Sequence, residues 1–179
     1  DIRDHDDADE VEPDSMFAEF FVPESRAVLQ GLRIGFVVPQ QSLRESIKRV
    51  FRKTPKVAAE QILTPFDVGA SEQVWDLLIV DETHRLNHRA NQSSGMNNKK
   101  FRAINEKLFG ADDPSKTQLD WIRMQSTHQI YLLDAEQTVR PADLPQTILR
   151  ALIDEARSAQ RRYPLTTQMR VRAGTDYVG

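Results

Sequence analysis

The feature that most constrains the fold of this chain is the run Val74–Val80, a largely apolar stretch followed directly by Asp81 and Glu82. A run of this kind is typical of a strand that is covered on both faces of its sheet. Ile34–Val38 is a second such run, and Gln129–Leu133 is another strand pattern that ends at an acid. Buried strands are the mark of a parallel sheet, so we expect helices in the segments between them.

Helical patterns do occupy those segments. From Ser42 to Arg52 the apolar residues recur along one side, and Ser42 with Glu45 resembles a capping box that begins the helix. Strands that alternate with helices predict an α/β fold with a mostly parallel sheet. Further helices are predicted at Lys99–Phe109, Gln118–Met124 and from Asp143 to about Arg161, and further short strands at Gln61–Leu63 and Leu165–Arg172.

Composition places the chain among ordinary globular proteins. It has 179 residues, of which 39% are hydrophobic and 28% charged, and its net charge is -3. The absence of cysteine excludes disulfides, thiolate metal sites and cysteine nucleophiles, and it fits a cytoplasmic location. No apolar run is long enough to cross a membrane. We therefore expect a cytoplasmic protein that has no membrane partner.

The charge is distributed unevenly along the chain. Residues 1–14 are mostly acidic, with Arg3 as the only lysine or arginine among them. A segment of like charge with little apolar content cannot offset its ordering entropy, so we expect it to be solvated and disordered. An acidic mimic of nucleic acid is the alternative. The predicted organisation is an acidic lead at 1–15 and a folded domain at 16–179.

The pair Asp81-Glu82 at the end of its strand matches the Walker B pattern of nucleotide hydrolases. In that pattern the aspartate holds Mg²⁺ and the glutamate polarises the attacking water. In parallel sheets, ligands bind outside the carboxyl ends of the strands, which is where this pair falls. A strand end with a solvated or capping acid pair is the structural alternative.

A phosphate-binding loop is missing from the sequence. The nearest match is Gly110–Thr117, but Ser115 replaces its second glycine and a helical segment precedes it. Asp112 and Asp113 would also repel a phosphate. We interpret this segment as a turn.

Other charged groups allow weaker readings. His84 and His88 have helical spacing for a zinc site, but no third ligand is evident. A nuclease that uses Asp81, Glu82 and Asp134 around a metal is a further hypothesis. A basic helical face is a solvated surface or a contact for phosphate backbones, and it comprises Lys48, Arg49, Arg52, Lys53 and Lys56.

The segment Trp75–Leu86 resembles the Schlafen group 3-like DNA/RNA helicase domain family. Leu132–Pro141 is similar to motif III of that family, and Leu165–Arg170 is similar to its motif IV. Thr83 stands where the family usually has alanine, and Leu133 stands where the superfamily-one form has glycine. The resemblance extends from about residue 32 to residue 179.

The resemblance implies the three-layer fold of a RecA-like P-loop NTPase. The P-loop strand of that fold would be absent from this chain. It implies ATP and Mg²⁺ as cofactors and DNA or RNA as partner. It also allows a fused nuclease domain in the parent protein, because members of the family are sometimes fused to one. Asp81 would hold the metal and Glu82 would activate water, while Gln137 and Arg170 would contact the γ-phosphate. Motif Ia would contact nucleic acid through Pro39, Gln40, Ser42, Arg44 and Lys48.

The resemblance also implies that this chain is the middle-to-end portion of a first motor domain. We expect the isolated chain to hydrolyse no ATP, because it has no phosphate-binding loop. We also expect an open sheet edge beside the motif III strand, which either residues 16–22 fill or a second copy covers. A non-catalytic module that binds nucleic acid or protein remains the alternative function.

Overall fold

The computed structural model describes residues 27–28, 31–55, 57–89, 95–134, 137 and 140–165. The predicted acidic lead, the apolar cluster at 16–22 and Arg170 all lie outside this part of the chain. The chain divides into two compact units, residues 1–145 and residues 146–179. Each unit is described by itself.

The first unit is built on a four-stranded parallel sheet with the order β2-β1-β3-β4. In the central pair Phe36 lies opposite Ile79, and Val37 lies opposite Val80. The predicted α/β class with a parallel sheet is confirmed, and this architecture is compatible with a RecA-like fold. The strands are β1 (Ile34–Val37), β2 (Ile62–Leu63), β3 (Trp75–Val80) and β4 (Ser126–Tyr131).

The two faces of the sheet differ in burial. Val37, Leu78 and Val80 share one face and are fully buried. On the other face Phe36 and Ile79 are only partly covered. The continuous apolar pattern therefore predicted these strands correctly, but one face of the sheet is less enclosed than the pattern indicates.

Two crossover connections run in opposite directions across the sheet. Helix α1 (Gln41–Phe51) joins β1 to β2, whereas α2 (Pro65–Ala70) lies on the return from β2 to β3. Because parallel crossovers are right-handed, connections in opposite directions lie on opposite faces. Phe51 of α1 packs edge-to-face on Phe36, with ring centroids 5.5 Å apart, which places α1 on the less enclosed face. The switch in direction falls between β1 and β3.

Helices α3 (Gly95–Phe109) and α4 (Gln118–Met124) follow β3 along the chain. Phe101 and Trp121 are fully buried, and their ring centroids are 4.2 Å apart. Gly69 permits the close approach of α2, since a Cβ there would lie 2.6 Å from a methyl carbon of Ile104. These contacts form an aromatic core between helices α2, α3 and α4.

Several predicted boundaries are wrong. Helix α1 has Gln40 as its N-cap and no side-chain cap, so Ser42 and Glu45 form no capping box. Helix α3 begins at Gly95, earlier than the predicted Lys99. In the second unit α5 is Gln146–Ser158, shorter than predicted at both ends, and it buries Leu149 and Leu152. Asp143 does not begin a helix because its carboxylate accepts a hydrogen bond from the backbone N–H of Arg140 in a turn. The predicted strand Leu165–Arg172 lies outside the described residues except for Leu165, which is in neither a helix nor a strand.

Strand β4 is the edge of the sheet within the described residues, where it pairs with β3 alone. Ile130 is 48% exposed and Leu132, just after the strand, is 42% exposed. An open edge beside this strand was expected, and the described part of the sheet has one. No helix among the described residues is long and apolar enough to cross a bilayer.

Candidate functional site

The acidic pair lies at the carboxyl end of β3, where backbone hydrogen bonds hold the strand from both sides. The Asp81 N–H donates to the Val37 carbonyl of β1 at 2.9 Å. On the other side the Leu132 N–H donates to the Val80 carbonyl at 2.8 Å. The pair therefore has a fixed position beside the point where the crossovers change direction, which is where parallel sheets bind ligands.

Glu82 has a left-handed backbone conformation, with φ 46° and ψ 47°. For a residue with a Cβ this conformation is unfavourable by roughly 1–2 kcal/mol. It reverses the chain directly after the strand, and the 3-10 turn Thr83–Arg85 follows. The Glu82 N–H donates to Asp81 Oδ1 at 2.9 Å, and the Arg85 N–H donates to the Glu82 carbonyl at 2.7 Å. The turn presents the side chains of Glu82 and Arg85 at the same end of the sheet.

The buried side chain of His84 contacts Glu82. Its side chain is 1% exposed, and its Nε2 lies 3.0 Å from Glu82 Oε2. This is close enough for an ion pair but does not have hydrogen-bond geometry. Among the described residues neither ring nitrogen of His84 has a hydrogen-bond partner. His88 lies apart from this contact, with its Nε2 2.8 Å from the Pro141 carbonyl oxygen.

Arg85 links the acidic pair to the segments that follow β4. Its Nε lies 3.8 Å from Glu82 Oε2, and its Nη1 lies 3.7 Å from Asp143 Oδ2. Its Nη2 donates to Gln137 Oε1 at 3.5 Å. Gln137 in turn donates through Nε2 to Asp134 Oδ2 at 3.1 Å. The structure thus joins Glu82 and Gln137, two residues predicted for one site, through a third side chain.

An apolar groove adjoins Asp81 on the less enclosed face of the sheet. Its volume is about 300 Å³. Apart from Asp81 its walls are apolar side chains of β1, α1 and β3, together with Val38 just after β1 and Leu132 just after β4. The residues concerned are Phe36, Val38, Ile47, Phe51 and Ile79.

The donor set at this end of the sheet decides which metals it suits. Asp81 offers hard carboxylate oxygens of the kind that Mg²⁺ prefers. Mg²⁺ is usually held by one or two carboxylates together with phosphates and water, so a single aspartate fits that role. Among the described residues no group of three or more histidine and acidic side chains is placed to hold a metal ion. Neither the zinc hypothesis nor the nuclease hypothesis gains support from this part of the chain.

The residues predicted for motif Ia lie just after β1 and in the first turns of α1. Arg44 Nη1 donates to the carbonyls of Val38 at 2.9 Å and Pro39 at 3.3 Å, so this arginine stabilises the loop. Gln40 and Ser42 are exposed, and Lys48 is half-buried. Their contact with nucleic acid stays a prediction.

Only part of the predicted basic face lies on a helix. Helix α1 ends at Phe51, and Arg52 and Lys53 lie in the turn that follows. Arg49, Arg52 and Lys53 are exposed, and Lys56 lies outside the described residues. These exposed residues form a basic patch, and its contact with phosphate backbones stays a prediction.

The segment Gly110–Thr117 is a turn, as predicted. The N–H of Ser115 donates to Asp113 Oδ1 at 2.8 Å, and hydrogen bonds to Ser115 hold the pKa of Asp113 below its ordinary value. The carboxylate of Asp112 accepts two hydrogen bonds from Arg89, at 3.1 and 3.0 Å. Both acids have local structural partners, as expected for a turn.

Sequence reasoning missed two members of the network, Arg85 and Asp143. Arg85 directly follows the recognised acidic motif, but its neighbours in space come from residues far along the chain. Asp143 has the appearance of a helix start, yet its carboxylate is only 4% exposed and lies against Arg85. An acid that precedes a Leu-Pro pair gives no signal of such burial.

Comparison with known proteins identifies the family. The family model for Schlafen group 3, DNA/RNA helicase domain, matches residues 29–179. The search of curated proteins found no match, and the search of solved structures found none either. The family match covers most of the chain and includes the acidic pair, Gln137 and Arg170. The chain therefore belongs to the Schlafen group 3 DNA/RNA helicase domain family.

Proposed function

We propose that the protein containing this chain hydrolyses ATP with Mg²⁺ and couples hydrolysis to the remodelling of DNA or RNA. The observation that carries the proposal is the placement of Asp81 and Glu82. They follow the central strand β3, at the change of crossover direction, and Glu82 is joined through Arg85 to Gln137. Membership of a DNA/RNA helicase domain family supports the same reading.

Asp81 and Glu82 have different roles in this proposal. The Asp81 carboxylate lines the groove and would hold Mg²⁺. When bound, Mg²⁺ neutralises negative charge on the phosphates of ATP. The Glu82 carboxylate orients a water and accepts its proton as the water attacks. Glu82 is suited to this because its backbone is fixed by the turn and its side chain reaches the same end of the sheet.

Gln137 and Arg170 complete the nucleotide site in the proposal. Gln137 lies in the segment after β4, half-buried and hydrogen-bonded to Asp134. Its amide would contact the γ-phosphate and report its presence. The guanidinium of Arg170 would stabilise the charge of the transferred group, a role that rests on the resemblance because Arg170 lies outside the described residues.

Nucleic acid would bind along the loop after β1 and the exposed start of α1. Gln40 and Ser42 offer exposed polar groups there, and Arg49 and Arg52 add exposed positive charge nearby. Phosphate contacts of this kind give binding that weakens as salt rises.

The test is ATP turnover by the full-length gene product, with and without single-stranded DNA or RNA. We expect nucleic acid to stimulate turnover, and we expect Glu82→Gln to reduce it about a hundredfold or more, because the variant removes the proton acceptor. Glu106→Gln on the exposed side of α3 is the matched control and should turn over normally. The 179-residue chain alone should show no turnover.

A full-length product that stays silent under every condition, or a Glu82→Gln variant with normal turnover, would reject the proposal. One observation favours the alternative of a non-catalytic binding module. The Glu82 carboxylate already lies against His84 and Arg85, as a structural ion pair would. In that case binding of a fluorescent oligonucleotide would persist without turnover and would be unaffected by Glu82→Gln.

A further inference from the structure

We propose that Arg85 is a positioning residue that holds the Glu82 carboxylate and the Gln137 amide in a fixed relation to each other. The proposal rests on the proposed ATP hydrolysis and adds a residue to it. Arg85 would act through Glu82 and Gln137, and no contact with nucleotide is required of it. Its place in the sequence, at the end of the turn after β3, sets its side chain between the two residues.

The first argument is geometric. Arg85 approaches acceptors on three separate segments: Glu82 Oε2 at 3.8 Å, Asp143 Oδ2 at 3.7 Å and Gln137 Oε1 at 3.5 Å. Each contact uses a different nitrogen of the guanidinium group. Only arginine presents several donors in one rigid plane, whereas lysine presents a single flexible point charge. The site therefore requires the shape of arginine as well as its charge.

The second argument concerns charge. Glu82 and Asp143 are two acids close to one cation, and the Asp143 carboxylate is 4% exposed. In the part of the chain that the structure describes, Arg85 is the only lysine or arginine that forms an ion pair with either acid. Without Arg85 the Asp143 carboxylate would keep its hydrogen bond from the Arg140 N–H but would lose its counter-charge, and a buried charge without an opposite charge is costly. Its own side chain is 24% exposed, which leaves it largely shielded from solvent.

The third argument concerns the connection between the two ends of the network. Glu82 follows β3, whereas Gln137 follows β4, more than fifty residues along the chain. Among the described residues the side chain of Arg85 is the one that contacts both of them. A shift of Gln137 on contact with phosphate would reach the Glu82 carboxylate through this guanidinium. The proton acceptor and the phosphate sensor would then respond together.

The kinetic test uses ATP hydrolysis by the full-length gene product. Arg85→Gln is expected to lower kcat roughly tenfold to a hundredfold and to leave KM within about twofold, since misplacement of reacting groups affects turnover most. Arg85→Lys should recover only part of the loss. Arg102→Gln, on the exposed side of α3, is the matched control and should have wild-type kcat.

A double-mutant comparison separates positioning from general damage. If Arg85 and Gln137 act as a unit, the Arg85→Gln/Gln137→Ala double variant should lose no more kcat than the worse single variant. Losses that multiply, or an Arg85→Lys variant with full activity, would overturn the proposal. If Arg85→Gln does not fold, its combination with Asp143→Asn preserves the local charge balance and allows the same comparison.

An NMR measurement that does not depend on ATP turnover distinguishes failure of this proposal from failure of the proposed function. In the 179-residue chain, Glu82→Gln should shift the side-chain amide resonances of Gln137, and this shift should vanish in the Arg85→Gln background. Persistence of the shift without Arg85, or its absence in the wild-type background, would contradict the link. Absence of ATP turnover in the full-length product, with the link intact, would reject the hydrolysis proposal alone.

Discussion

At the residue scale, Arg89 joins the two ends of helix α3. Its Nη1 donates to Asn98 in the first turns of the helix at 2.8 Å, and its Nε and Nη2 donate to Asp112 beyond the end of the helix. The guanidinium carbon also lies 5.8 Å from the centre of the Phe101 ring. Arg89 lowers the pKa of the Asp112 carboxyl, and the hydrogen bond to Asp112 raises the pKa of Arg89. Arg89 therefore stabilises the turn Gly110–Thr117, which has the spacing of a phosphate-binding loop but not its second glycine.

We predict that Arg89→Met lowers the free energy of unfolding by about 1–2 kcal/mol at neutral pH, because hydrogen bonds to charged groups are lost. The folded state lowers the pKa of Asp112 below its ordinary value of 3.8, so the contribution is present above that value. It is lost as the pH falls through the lowered pKa. Urea unfolding of both proteins at a series of pH values measures the difference.

Arg102→Met is the control for this prediction. Arg102 pairs with Glu106 at 2.8 Å, but both side chains are exposed, so little change is expected. An Arg89→Met loss that stayed constant down to pH 2 would show that the ion pair with Asp112 is not its source.

The candidate site shows what a sequence motif predicts at this scale. The acidic pair and Gln137 were predicted for one site, and the structure does bring Glu82 and Gln137 into one network through Arg85. Arg85 and Asp143 were not predicted, because their contact joins two residues that are far apart along the chain. No spacing along the chain encodes such a contact.

At the element scale, the helix starts differ in how they are capped. Helix α4 has a full capping box, in which Thr117 Oγ1 accepts from the Asp120 N–H and the Thr117 N–H donates to Asp120 Oδ2 at 2.7 Å. Thr117 is also buried. Helix α1 begins after Gln40 without a side-chain cap, although Ser42 and Glu45 have the spacing of a capping box. The same sequence spacing therefore has different outcomes in the two helices.

We predict that Thr117→Ala lowers the free energy of unfolding by about 1–2 kcal/mol, the usual loss for a helix N-cap. Ser42→Ala should change it by less than about 0.5 kcal/mol, since surface substitutions away from caps have effects of that size. Thermal or urea unfolding of the two variants provides the comparison. Equal losses would mean that Ser42 caps α1 in solution.

Element type was easier to predict than element limits. The apolar runs at β1 and β3 identify buried parallel strands, because few other structures bury so many consecutive apolar residues. The predicted start of α1 was wrong because Gln40 is the N-cap and the helix begins at Gln41, so the predicted cap Ser42 lies inside the helix. The predicted start of α5 at Asp143 was wrong because the Asp143 carboxylate closes a turn before the helix begins. Helix limits depend on such local hydrogen bonds, which composition does not determine.

At the scale of the whole first unit, the less enclosed face and the edge strand β4 occur together. Ile130 is exposed on this strand, and Leu132 is exposed where it meets the groove. Open edges with apolar neighbours favour pairing with another chain. The two routes expected from the sequence are residues 16–22, which lie outside the described residues, and a second copy.

We predict that the 179-residue chain self-associates and that Ile130→Lys weakens the association at least tenfold, because a charge must then be desolvated at the contact. Val50→Lys, an exposed apolar position on α1, is the matched control and should associate like wild type. Sedimentation velocity over a range of concentrations measures the change. A wild-type chain that remains monomeric at every concentration contradicts self-association.

The order of the strands also governs when the sheet can be completed. Strand β1 pairs first in sequence with β2, but its second partner β3 arrives only after helix α2 has been synthesised. Parallel pairings between distant segments form slowly, because a long loop must close before any contact stabilises it. A nascent chain that has not yet reached Val80 therefore holds β1 with one unpaired edge. We therefore expect the centre of this sheet to close only after β3 has been synthesised, and the acidic pair to reach its place at the same stage.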